Sequence, residues 1–242
     1  MSDVSHTPIA IIGIGCRFPG GVRGPRAFWD LLVAGTDAVT EVPADRWSVD
    51  RHAHPSRDVA GKTYARWGGF VDGATDFDPD LFGLTPREVA SADPQQRLVL
   101  QTFVESMRDA GVPLRSLRGS RTGVFMGGFT LDHLVARLNQ RNLETVDAYV
   151  ATGAMMTLLA NRVSYLFGLE GPSLVVDTAC SGSLVALHLA AQSLRAGESD
   201  LAVAGGVNLM LEPGVTVAES KAGMLSPTGR SRAFSDAADG YV

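Results

Sequence analysis

Residues 174–196 read LVVDTACSGSLVALHLAAQSLRA. Leu174 to Val176 is a short β-branched apolar run, the pattern of a buried strand. From Ser183 to Ala196 the residues Leu184, Val185, Ala186, Leu187, Leu189, Ala190, Ala191 and Leu194 leave the segment apolar nearly all round, so a helix here is expected to be buried on every side. Its N-terminus, and with it Cys180, is then expected inside the protein. A strand, a tight turn and a helix hold a nucleophile in a constrained elbow, with backbone N–H groups at hand for an oxyanion. A helix N-terminus also stabilises a thiolate. Small neighbours (Ala179, Ser181, Gly182, Ser183) leave room for a substrate, and the chemistry this suits is acyl transfer through a thioester. The local pattern alone leaves a plainer alternative open, because a free cysteine is also a common small core residue.

Working outward, Ile9 to Ile14 reads as another buried strand ending in a loop at Gly15, Pro19 and Gly20-Gly21. Thr122 to Met126 and Leu201 to Ala204 read as strands, and Phe28 to Ala34 and Met155 to Tyr165 as helices. Asp93-Pro94-Gln95-Gln96 predicts the clearest helix start. Asp93 is the cap, Pro94 suits the first turn, and Gln96 has capping-box spacing. Leu100, Phe103, Val104 and Met107 then share a face before Gly111 stops the helix. Residues 35–73 carry Pro43, Pro55, Trp47 and Trp67 without a sustained period, which predicts a loop-rich excursion with short strands around Phe70 and Val71. Strands alternating with helices imply parallel pairing and an α/β layered fold.

The 242 residues, 45% hydrophobic and 19% charged, exclude global disorder. At about 150 residues per domain they amount to about 1.6 domains, which fits one large domain or two small ones. A net charge of -5 without a basic block argues against general nucleic-acid or anionic-membrane binding. Two cysteines are too few for a disulfide framework, the start lacks the basic region of a secretory signal, and no apolar run reaches membrane-spanning length. A cytoplasmic location is expected.

The run Gly171-Pro172-Ser173, followed by Val176-Asp177-Thr178-Ala179-Cys180-Ser181-Gly182-Ser183-Leu184-Val185-Ala186-Leu187-His188, resembles the active-site signature of β-ketoacyl synthases, in particular the ketosynthase domains of polyketide synthases. Further stretches agree in order, and the likeness runs nearly end to end. They are Ile9-Ala10-Ile11-Ile12-Gly13 with Cys16-Arg17-Phe18-Pro19-Gly20, Phe28-Trp29, Asp93-Pro94-Gln95-Gln96-Arg97, Ala160-Asn161-Arg162-Val163-Ser164-Tyr165, and Gly229 to Val242. The resemblance implies a thiolase-like layered αβαβα fold of two related halves that homodimerises. Of these the chain is expected to hold the N-terminal half with its loop-rich insertion, the second half opening at about residue 238. It also implies that Cys180 is acylated from phosphopantetheine on an acyl carrier protein, or from CoA. The chain then passes to a carbanion made by decarboxylating a malonyl-type extender, as in polyketide and fatty-acid biosynthesis. No bound cofactor or metal is expected. Gly182 stands where polyketide ketosynthases more usually have serine, a change expected to be tolerated because a small residue is needed there.

The same resemblance implies two histidines and a lysine downstream of the nucleophile. The five histidines present are His6, His52, His54, His133 and His188, none in the family's histidine motifs, so Cys180 is the one catalytic residue carried over. His188 lies about 12 Å along the helix from Cys180 at about 1.5 Å per residue, a poor direct base. This chain alone is therefore expected not to complete condensation, and to expose a hydrophobic helix face that aggregates or borrows a partner. Two other functions stay open: a non-catalytic partner in dimerisation or carrier-protein binding, and a half-site that only self-acylates or hydrolyses thioesters.

Several features are expected to be coincidental or structural. Gly13-Ile14-Gly15 lacks the third glycine of a dinucleotide loop, Gly61-Lys62-Thr63 lacks the first glycine of a phosphate loop, and Cys16 and Cys180 have no zinc spacing. Phe70, Phe77, Phe82 and the tryptophans suit loop packing better than the alternative of a carrier-protein surface, and Arg230, Arg232 and Asp236 suit a solvated charged turn better than the ordering of a loop near the pocket.

Overall fold

The computed structural model describes residues 8–138 and 140–242; His6 lies outside them. The chain forms two compact units, one running to Cys16 and resuming over Gly73–Asn208, the other made of Arg17–Asp72 and Leu209–Val242. The second unit begins with β1 (Arg17–Phe18), β2 (Val22–Arg23), α1 (Pro25–Ala34), β3 (Thr40–Glu41), α2 (Val49–His52) and β4 (Trp67–Gly68). The first unit carries α3 (Pro79–Phe82), α4 (Pro86–Ser91), α5 (Pro94–Asp109), β5 (Thr122–Gly127), α6 (Asp132–Arg137), α7 (Ala148–Ala154), α8 (Leu158–Phe167), β6 (Ser173–Val176), α9 (Gly182–Arg195) and β7 (Leu201–Gly206). Helix α10 (Gly214–Ala222) returns to the second unit.

The first unit is built on a parallel sheet in the order β6-β5-β7, with Phe125 opposite Leu174 on one side and Ala204 on the other. Every residue of the central strand is buried. Its side chains alternate between faces as the pleat requires. Val124 and Met126 enter the cluster with Leu100, Phe103, Leu159 and Val163 of α5 and α8, while Phe125 packs with Ala186 and Ala190 of α9. Helices therefore cover both faces, as parallel sheets demand. The alanines sit one turn apart on α9 and let it lie close over Phe125.

The α/β expectation holds and several elements differ. Helix α9 is not buried all round: Leu184 is 69% and Leu187 49% exposed, because only the face carrying Ala186 and Ala190 meets the sheet. Ile9 to Ile14 is not a strand of any sheet, and Ile11 is 77% exposed. It lies along α5 instead. The Ile14 N–H donates to the Asp109 carboxylate at 2.8 Å, and a Cβ at Gly15 would stand 2.1 Å from the Thr102 carbonyl oxygen. Glycine here permits backbone-on-helix contact where any side chain collides. The predicted helix from Met155 begins at Leu158, since Met155 is the extended C-cap of α7. In the excursion the paired strands are Thr40–Glu41 with Trp67–Gly68, not Phe70 and Val71; Phe70 turns inward onto Trp47 and Val42.

The cap of α5 is as expected, with Asp93 Oδ1 accepting from the Gln95 N–H at 2.8 Å. Gln96 does not close a capping box. Its side chain is drawn inward, where Nε2 donates to the Gly153 carbonyl at 2.9 Å and Oε1 accepts from Arg162 Nε at 2.8 Å. A capping box forms instead on α4 between Thr85 and Glu88. Burial pushes the Asp93 carboxyl above its ordinary range, against the hydrogen bonds from Gln95 and the charges of His133 and Arg97. The folded chain thus holds this proton more tightly than the unfolded one. The stability it supplies is present below the unfolded carboxyl's titration and is lost as pH rises through the folded value.

Two outcomes are expected. Gly15→Ala lowers unfolding free energy by about 1–3 kcal/mol in urea titrations, through overpacking against α5. Asp93→Asn keeps a cap acceptor and removes the buried charge, so the variant's melting temperature relative to the parent is higher at about pH 7 than at about pH 4.

Candidate active site

Strand β6 ends at Val176, and the chain reaches α9 through Asp177, Thr178 and a single 3₁₀ turn, Ala179–Ser181. The turn is sharp enough to force Ala179 to φ +52°, one of two non-glycine residues with positive φ among those described. For an alanine this is a strained conformation, costing on the order of 1–3 kcal/mol, and it must be over-determined by its surroundings. The turn's own polar groups do that. Asp177 Oδ1 accepts from the Ala179 N–H at 2.9 Å, while the Ser181 hydroxyl is 2.9 Å from both the carbonyl and the hydroxyl of Thr178. Cys180 stands at the middle of this turn as an exposed free thiol, not an interior one. Its exposure is shared by its neighbours Asp177 to Ala179, Ser181, Ser183 and Leu184, with only Gly182 among them buried.

Two glycines at the carboxyl ends of neighbouring strands fix where that first turn sits. A Cβ on Gly127 of β5 would lie 2.6 Å from the Gly182 carbonyl carbon, and one on Gly206 of β7 would lie 2.8 Å from Ser183 Cβ. The Gly127 carbonyl accepts from the Val207 N–H at 3.1 Å, and the Gly128 N–H donates to the Val176 carbonyl at 3.1 Å. Three strand ends and the helix N-terminus therefore meet through backbone. No side chain caps α9, and the preceding turn supplies backbone instead, the Gly182 N–H donating to the Ala179 carbonyl. A Cβ at Gly182 meets nothing closer than 3.5 Å, room enough for the serine expected of relatives.

The remaining candidates are placed elsewhere. His188 is exposed two turns along α9. The His133 ring lies 2.9 Å from the Ser91 carbonyl, and the His54 ring accepts from the Ser56 N–H at 3.0 Å. His52 closes α2. Among the described residues no cluster of ligating side chains suits a metal. Lys62 of the phosphate-loop look-alike donates to the Arg51 carbonyl, and Arg230 pairs with Asp37 at 2.7 Å. Arg232 pairs with Asp239 at 3.2 Å, Trp47 packs edge-on to Phe70, and Phe77 stacks on Phe82. Sequence reasoning missed the buried polar group of Gln95, Gln96, Thr130 and Arg162, although the paired glutamines at the start of the helix were its signal.

Residues 6–242 match the family described as "Beta-ketoacyl synthase, N-terminal domain". The chain belongs to the β-ketoacyl synthase family. It is 50% identical over 235 residues to one of the phenolphthiocerol/phthiocerol polyketide synthase subunits of Mycobacterium tuberculosis, covering 97% of this chain and 15% of that one. Among solved structures it is similar to the oxazolomycin ketosynthase domain OzmH KS7 of Streptomyces albus JA3453, at 40% identity and TM-score 0.89, over 96% of this chain and 40% of that one. It is also similar to the ketosynthase from module 6 of the bacillaene synthase of Bacillus subtilis 168, at 36% identity and TM-score 0.84, over 96% and 37%. The chain thus spans well under half of the relatives it matches. The thiolase-like fold expected from the ketosynthase resemblance holds.

If the strained turn is what presents Cys180, relaxing it separates stability from reactivity. Ala179→Gly is expected to leave stability unchanged or raise it by up to about 1 kcal/mol. The same variant is expected to slow alkylation of Cys180 by iodoacetamide, read by intact mass.

Proposed function

We propose that this β-ketoacyl synthase domain takes up an acyl chain on Cys180 as the first half-reaction of a decarboxylative Claisen condensation in polyketide biosynthesis. The observation that carries this reading is the strained turn that stands Cys180 at the N-terminus of α9. The Cys180 sulfur attacks the carbonyl of an acyl thioester. The bond to the incoming pantetheine sulfur breaks, and the proton lost from Cys180 ends on that leaving thiol. The negative oxygen of the tetrahedral intermediate falls within reach of backbone N–H groups at the helix start, where the dipole favours it. The thioester is supplied by phosphopantetheine on an acyl carrier protein, or by CoA. The malonyl-type extender reacts in the second half-reaction, for which the chain brings none of the family's histidine motifs. We read residues 1–242 as the N-terminal portion of the synthase domain, acting in a homodimer of the whole protein.

The exposed Leu184 and Leu187 favour a second reading, in which the chain is a non-catalytic partner whose α9 face is covered by another protein. One experiment separates the two. Incubation with hexanoyl-N-acetylcysteamine is expected to add one hexanoyl group to the 25.5 kDa chain, lost in Cys180→Ala. No adduct on the unmodified protein overturns the acyl-enzyme reading and leaves the partner one.

A further inference from the structure

Gln95 is 2% exposed at the first turn of α5, and it faces a residue 35 positions away. Its Nε2 donates to the Thr130 carbonyl at 3.2 Å and its Oε1 accepts from the Thr130 hydroxyl at 3.3 Å, so a single amide holds both the backbone and the side chain of Thr130. The amide is itself fixed, since Nε2 also lies 3.2 Å from Asp93 Oδ2, on the carboxylate whose other oxygen caps the helix. Thr130 is 4% exposed. Burying these polar groups is favourable only while each is paired, so the contact fixes one geometry.

Thr130 ends the segment that leaves β5. Three residues before it, Gly127 lies against Gly182 and Ser183, the residues that follow the Cys180 turn. The segment from Gly127 to Thr130 is thus held at one end by the start of α9 and at the other by Gln95. A shift of Thr130 is passed through two intervening residues to the backbone on which the Cys180 turn rests.

We propose that Gln95 is a positioning residue for Cys180, acting through Thr130 and Gly127 to hold the turn in the geometry that attacks an acyl thioester. This rests on the acyl-enzyme reading above. A positioning group alters alignment in the reacting complex rather than affinity for the donor, so its loss falls on the maximal rate.

The test is single-turnover acylation of the 242-residue chain by hexanoyl-N-acetylcysteamine over a range of donor concentrations, followed by intact mass, with a thermal melt of each variant. Gln95→Met keeps length and removes both hydrogen bonds to Thr130, together with the one to Asp93. Thr130→Val removes only the hydroxyl and reads the same contact from the loop side should Gln95→Met fail to fold, and Thr130→Ser restores it. The maximal rate is expected to fall at least about tenfold in Gln95→Met and by a smaller factor in Thr130→Val. The half-saturating concentration stays within about twofold, the melt stays cooperative, and Thr130→Ser recovers the parent rate. A cooperatively folded variant at the parent rate, or an equal loss in rate and affinity, overturns the positioning role while the acyl-enzyme reading stands. No acylation of the unmodified chain overturns that reading and this one with it.

Discussion

The contact on which the rest of the first unit depends is backbone against backbone, where the carboxyl ends of β5 and β7 meet the start of α9. Parallel strands all present their carboxyl ends on one side, and a helix that follows one strand must cross that side before packing on the sheet. At Gly127 and Gly206 the absence of a side chain lets the helix start within van der Waals contact of both strand ends. Ala186 and Ala190 continue the close approach down the face of the sheet. The turn that contains Cys180 is then too short for relaxed backbone, and the strain collects at Ala179. Asp177 and Ser181 hold it with hydrogen bonds made entirely within the turn.

The opposite face of the sheet is anchored differently. Val124 and Met126 meet the leucine, valine and phenylalanine side chains of α5 and α8, an interdigitated core with little polar content. At the edge of that core, where α5 begins, polar groups take over: Asp93, Gln95 and Gln96 are nearly inaccessible and paired with Thr130, Gly153 and Arg162. Apolar packing sets the layer spacing but is indifferent to small sliding motions. Buried amides tolerate no such slippage without losing partners. The two kinds of contact therefore act differently, one holding the layers together and the other fixing the loops that leave the strand ends.

The second unit shows how little of an irregular excursion depends on strands. Trp47, Phe70 and Val42 form a small cluster. Elsewhere in the unit the Tyr64 hydroxyl donates to the Leu225 carbonyl at 2.8 Å, and the Ser226 hydroxyl to Asp239 at 2.7 Å. These bonds join segments 161 residues apart in the first case and 13 in the second. Composition showed that residues 35–73 would be loop-rich, and gave no means of seeing which distant segments they would hold.

Local chemistry in the sequence was enough for the strand, turn and helix around Cys180, the cap at Asp93 and the parallel α/β character, because each follows from residues within a few positions of one another. It was also enough for the family, whose motifs are spread in order along the chain. What neighbours cover a surface is a different matter. Ile9 to Ile14 has the composition of a buried strand and lies along a helix with its isoleucine side chains largely in solvent. Helix α9 has the composition of a fully buried helix and presents Leu184 and Leu187 outward. Gln96 has capping-box spacing and is drawn to Arg162 instead. In each case the residue states a preference for burial or a hydrogen bond, and only tertiary structure decides which partner meets it, since that partner is supplied by chain far away in sequence.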